Sequence, residues 1–94
     1  MLADKLDSQR QFRWAEQLRA ATLSITNNIA EGSGSSSKAE FSQFLNYSRR
    51  SVFETANIVL QLKPHFPGEA QTEPLLDELS EISRMISGFR KLLK

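Results

Sequence analysis

Through three long stretches of this chain, apolar and small residues return at alternating steps of three and four. That repeat lays one stripe along an α-helix, and no stretch shows the period of two that a half-buried strand needs. Ala15, Leu18, Thr22, Ile25 and Ile29 form the stripe of a first helix over about 8–31, widened by Trp14 and Ala21. A second helix over about 38–63 carries Phe41, Leu45, Ser48, Val52, Thr55, Val59 and Leu62, with Phe44, Ser51 and Ile58 as a parallel row. A third over about 74–93 runs through Leu75, Leu79, Ile82, Ile86, Phe89 and Leu93. The pattern predicts an all-α fold: three helices of an antiparallel up-and-down bundle, in one domain spanning residues 1–94.

The predicted boundaries have a chemical basis. Ser37 followed three residues later by Glu40 is a capping box, which satisfies backbone N–H groups that the first turn leaves open. Gly32, directly after "NIAE", suits a left-handed helix stop. Pro64 and Pro67 close the second helix, and Pro74 fits the first turn of the third. Asp77, Glu78 and Glu81 early in that helix, with Arg90, Lys91 and Lys94 late, complement its dipole. The "EGSGSSSK" stretch lies between two helices and lacks the spacing of a phosphate-binding P-loop, so it is a corner of a helical hairpin.

Charge is nearly balanced, 12 Lys plus Arg against 11 Asp plus Glu, which argues against a strongly basic nucleic-acid coat. With no cysteine there is neither a disulfide nor a thiolate metal site, as suits a reducing compartment, and no apolar run approaches the length of a membrane span. The expectation is a cytoplasmic protein without membrane association.

Two surfaces stand out. At 100° per residue, Phe53, Ala56 and Leu60 fall roughly 90° or more from the main stripe of the second helix. A helix that is apolar on two sides is buried on two sides, so these three residues are the candidate contact with another subunit. Separately, Arg10, Arg13, Arg49 and Arg50, with Tyr47 close to Arg50, are a candidate phosphate-contacting surface. The competing account is a set of solvated side chains in ordinary intrahelical pairs, Glu16 with Arg19 and Arg50 with Glu54.

The stretch "SITNNIAEGSGSSSKAEFSQFLNYSRRSVFET" resembles the four-helix-bundle proteins encoded in intervening sequences of bacterial large-subunit ribosomal RNA genes. Ser24, Ile25, Asn28, Ile29, Ala30, Glu31 and Gly32 match the S-I-x-x-N-I-A-E-G pattern of that family. Glu40, Phe41, Phe44 and Leu45 match its E-F-x-x-F-L, Ser51 with Glu54 the serine and glutamate of its G-S-x-x-E, and Gln17, Leu18 and Arg19 its lead-in. The resemblance implies an up-and-down four-helix bundle, assembly as a ring-like pentamer, no enzymatic activity and no cofactor. It extends to the accessory variability determinant of diversity-generating retroelements, a basic relative that associates with reverse transcriptase and binds nucleic acid. Here Ala20 and Ser35 stand where that family often has arginine, and Arg50 where it has a small glycine. Too few residues precede Asp7 for the family's long first helix, so the bundle is expected to lack one wall and to be completed by oligomerisation.

The matched polar residues read first as structure. Asn28 and Glu31, and likewise Ser51 and Glu54, are spaced i and i+3 on facing helices, where with Arg19 or Arg49 they form a polar network. Each buried member needs a partner, since an unsatisfied polar atom costs about 1–3 kcal/mol. Glu31 and Glu54 do not make a bundle metal site, which also draws on Glu-x-x-His pairs, and His65 sits in the proline-rich linker. The leading expectation is a non-catalytic oligomeric accessory protein for RNA, DNA or a nucleic-acid enzyme such as a reverse transcriptase. The alternative is a protein-interaction bundle that receives a partner helix.

Overall fold

The computed structural model describes residues 2–8, 11–65 and 72–93, which form four helices and no strand. They are α1 (Leu2–Ser8), α2 (Phe12–Ser33), α3 (Lys38–Leu62) and α4 (Thr72–Leu92), with a 3-10 turn at Lys63–His65 closing α3. α3 is the centre of the fold: α2 packs against it, α4 packs against it, and α1 packs on α2. Leu45, Val52, Ile58, Val59 and Leu62 of α3 meet Ala15, Leu18, Ala21 and Ile25 of α2 and Leu79 and Ile86 of α4 in one core.

The expectation of three helices is corrected by α1. Its apolar residues, Leu2, Ala3 and Leu6, fall on one side of two turns and are buried in the common core, so even a short N-terminal helix can contribute to the missing wall. Two ion pairs fix it to α2: Arg19 Nη2 lies 2.7 Å from Asp4 Oδ1 and 2.6 Å from Asp7 Oδ2. The Asp7 hydrogen bond first, then that of Asp4, raises the Arg19 pKa above its ordinary value. Gln11 N–H donates to the Leu6 carbonyl at 2.7 Å, and the first long helix begins at Phe12, four residues beyond the expected start.

The α2–α3 corner also differs in its chemistry. Helix α2 continues through Gly32 to Ser33, and Gly34 caps it at φ −90°, so Gly32 is not a left-handed stop. Its reason is steric. A Cβ added there would lie 2.8 Å from Phe44 Cβ and 2.8 Å from Phe41 Cδ1, so the absent side chain lets the two helices converge where the hairpin turns. On the far side of the turn, Ser37 is extended and its Oγ accepts the Glu40 N–H at 3.1 Å, the predicted cap. Pro64 lies in the 3-10 turn and Pro74 in the first turn of α4, while Pro67 lies outside the described residues. Lys63 and Glu73 form an ion pair that bridges the end of α3 and the start of α4.

The molecule is long and thin, 44 × 21 × 16 Å along its principal axes, with a radius of gyration of 14.7 Å against about 12 Å for a compact domain of this length. It exposes 6178 Å², while a folded monomer of 10.6 kDa presents roughly 5,500 Å².

Two glycine substitutions separate the steric role from helix propensity. Gly88, in α4, has nothing within 4 Å of an added Cβ. Gly88→Ala should therefore stabilise by about 0.4–1 kcal/mol. Gly32→Ala should instead destabilise by about 1–3 kcal/mol, the usual range for overpacking. Urea denaturation of the two variants checks this, and equal shifts of the same sign would contradict the close approach.

Candidate functional site

Along the seam between α2 and α3, small hydroxyl residues take the places of large apolar ones. Ser48, fully buried, donates to the Ile25 carbonyl at 2.8 Å. Asn28 Nδ2 donates to the Ser24 carbonyl at 2.8 Å and to Ser24 Oγ at 3.1 Å, and Ser24 Oγ lies 2.8 Å from Ser51 Oγ. Ser51 Oγ in turn donates to the Tyr47 carbonyl at 3.1 Å. The donors therefore run in one order, Asn28 to Ser24 to Ser51 to backbone, and each hydroxyl both gives and receives. Thr55, one turn on, returns its hydroxyl to the Ser51 carbonyl at 2.8 Å.

Above this chain of hydrogen bonds lies an open cleft of about 280 Å³, lined by Ser24, Asn28, Tyr47, Arg50, Ser51 and Glu54. Arg50 and Glu54 form its charged rim. Both are exposed, and although they stand four residues apart on α3 they do not form the expected ion pair. The Tyr47 ring is held edge-on to Phe44, centroids 6.0 Å apart at 84°, and its hydroxyl accepts from Gln43 Nε2 at 2.9 Å. Asn28, Ser51 and Glu54 of the expected polar network thus meet at one cleft. Arg19 does not join them, because Asp4 and Asp7 hold it on the α1 side of α2. Glu31 lines a separate open cavity of about 450 Å³ with Asn27, Ala30 and Gly34.

The expected basic surface does not form as one patch. Arg50 and Tyr47 share the cleft, but Arg49 lies on another side of α3, its guanidinium 5.5 Å from the centroid of the Phe53 ring and bonded to Asn46 Oδ1 from Nη2 at 3.0 Å. Consecutive helical residues point 100° apart, and here Arg49 and Arg50 leave α3 in different directions. Arg13 is exposed on α2, about 17 Å along the helix from Ser24 at 1.5 Å per residue. Arg10 lies outside the described residues.

The second set of candidates is exposed as a ridge. Phe53 and Leu60 stand 55% and 53% exposed two turns apart, and Ala56 between them is half buried against the core. An unpredicted apolar stripe lies on α4, where Met85, Phe89 and Leu92 are 66%, 44% and 76% exposed. The two faces lie on different flanks of the α3–α4 pair. Phe89 packs on Phe41, centroids 5.5 Å apart, at the site where Phe41 meets Gly32 of α2. Its neighbour Arg90 reaches Ser42 Oγ and Asn46 Oδ1, each at 3.3 Å, on the side where Arg49 covers Phe53. The periodicity held the signal for the stripe, since Ile82, Met85, Phe89 and Leu92 follow the three-four-three spacing of a seam.

Among the described residues, no group of three or more His, Cys, Asp or Glu side chains is placed to hold a metal ion, and no helix is long and apolar enough to cross a membrane. The site is thus a polar cleft flanked by two bare apolar faces on an all-helical scaffold. The profile of the 23S rRNA-intervening sequence proteins matches residues 1–88, and the chain belongs to that family. Comparison with curated proteins and with solved structures gives no match.

The hydrogen-bonded order along the seam sets an expectation. Ser24→Ala and Ser51→Ala should each destabilise by about 1–3 kcal/mol, because each strands a partner. The double variant should cost clearly less than the two single effects combined, with a coupling of about 0.5–3 kcal/mol in a denaturation cycle. Additive effects would mean that the two hydroxyls do not share a bond.

Proposed function

We propose that this chain is a non-catalytic, self-associating module: one domain over residues 1–94, an antiparallel up-and-down bundle completed by copies of itself. The assembly presents a polar surface to nucleic acid or to a nucleic-acid enzyme such as a reverse transcriptase. The observation that carries self-association is the pair of separate exposed apolar faces, Phe53 with Leu60 on α3 and Met85 with Phe89 and Leu92 on α4. Burying a side chain of this size is worth about 1.5–3 kcal/mol, so five exposed ones are a large uncompensated term in a small domain.

Two unlike faces favour head-to-tail contact, in which the Phe53 ridge of one copy enters the α4 stripe of the next, and such contacts close into rings when the rotation permits. The pentamer implied by the family resemblance is an arrangement of this kind. Glu54 and Tyr47 lie on the side of α3 away from the Arg90 contacts, so the cleft stays open in such a ring and is repeated around it. Repetition converts weak individual contacts into avidity.

A second reading draws on the same stripe. Its three-four-three spacing also suits a helix of a different protein laid along α4, a partner-receiving bundle without nucleic-acid binding.

Sedimentation equilibrium tests the proposal. The chain should sediment as an oligomer at micromolar concentration, and Phe53→Asp or Leu60→Asp should return it to the 10.6 kDa monomer with its helical circular dichroism intact. Single-stranded RNA or DNA should shift the oligomer in a salt-dependent manner, and Arg50→Glu should weaken that shift. A monomeric wild type would end the self-association reading. An oligomer that ignores nucleic acid at low salt and captures a helical peptide through Met85 and Leu92 would favour the second.

A further inference from the structure

We infer that the cleft between α2 and α3 is a pocket for a single guanine base. This deepens the nucleic-acid part of the proposed function and rests on it only for where the base comes from. About 280 Å³ is at the lower edge of small-molecule sites, enough for one base and little more. The rim holds opposite charges one helical turn apart: Glu54 offers carboxylate acceptors and Arg50 guanidinium donors, with no ion pair between them. A ligand that satisfies both must show paired donors on one edge and paired acceptors on another. Guanine does so, with N1–H and N2–H₂ for a carboxylate and O6 and N7 for an arginine fork. Adenine offers a ring acceptor where Glu54 needs a donor, and uracil has one ring N–H between two carbonyls.

The other lining residues suit the same occupant. Tyr47 supplies an aromatic surface, set in place by Phe44 and Gln43, of the kind on which an unstacked base rests. The floor is already ordered, since Ser24 and Ser51 bond to each other and Asn28 Nδ2 is committed to Ser24, while the Asn28 amide oxygen is not used in these bonds. Arg50 and Glu54 are exposed and stand outside the buried seam, so the rim can be altered without unfolding the chain.

The test uses fluorescence anisotropy with labelled uridine nonamers carrying one central guanine or one central adenine, alongside ¹⁵N spectra titrated with guanosine or adenosine monophosphate. The guanine oligonucleotide should bind about tenfold or more tightly than the adenine one, the discrimination expected of one good bidentate pair. Glu54→Gln should remove most of that preference, with the melting temperature as control. Guanosine monophosphate should move the Asn28 side-chain resonances where adenosine monophosphate does not. Shifts with the mononucleotide but no oligonucleotide binding would keep the pocket, assign its ligand to free nucleotide and remove the nucleic-acid reading. Equal binding of both oligonucleotides, or a guanine preference that survives Glu54→Gln, would overturn the pocket while leaving general nucleic-acid binding intact. Absence of binding by all four probes would overturn both.

Discussion

The close approach of α2 to α3 is the constraint from which the rest of the structure follows. Backbones can come this near only where side chains are small, and the seam meets the condition with Gly32, Ser24, Ser48 and Ser51. Small size alone would leave hydroxyls buried and unpaired. Here each one bonds across the seam or back to its own helix, so polar groups that would otherwise weaken a core fix the register of the two helices. The cleft follows from the same choice. Where Ser24 and Ser51 meet there is no bulk to fill the groove above them, and Tyr47, Arg50 and Glu54 are left around a hollow.

The other side of α3 shows what a three-layer arrangement cannot do. A helix in the middle of a thin molecule has more perimeter than two neighbours can cover, and α3 is apolar around much of it. With α2 and α4 in place, Phe53 and Leu60 remain outside, and α4, packed on a single neighbour, keeps its own bare stripe. Arg49 partly shelters Phe53 by lying over its ring, a modest contribution at an exposed site. The apolar surface is therefore divided in two, one ridge on α3 and one stripe on α4.

What could be read from the sequence was whatever repeats or caps. The three long helices follow from the stripes, and the start of α3 from Ser37, because both signals are local. Exposure of Phe53 and Leu60 followed from counting neighbours against perimeter. The errors arose where a residue's role is set by a distant partner. Gly32 was assigned a local conformational task, and its actual task depends on Phe41 and Phe44 across the hairpin. Arg19 fits by spacing a polar network with Asn28, Glu31, Ser51 and Glu54 across the hairpin, while its carboxylates lie on α1, a helix too short for a periodicity argument to register. The arginines read as one surface were close in sequence, but consecutive positions on α3 sent Arg49 and Arg50 to different sides.

The attachment of α1 joins two forces that answer oppositely to the solution. Its ion pairs with Arg19 are open to solvent and weaken as added electrolyte shortens the range of charge, whereas the burial of Leu2, Ala3 and Leu6 is strengthened by excluded ions such as sulfate. A weakly hydrated salt erodes the first without reinforcing the second. The anion's identity, and not ionic strength alone, thus sets how firmly α1 is held against α2.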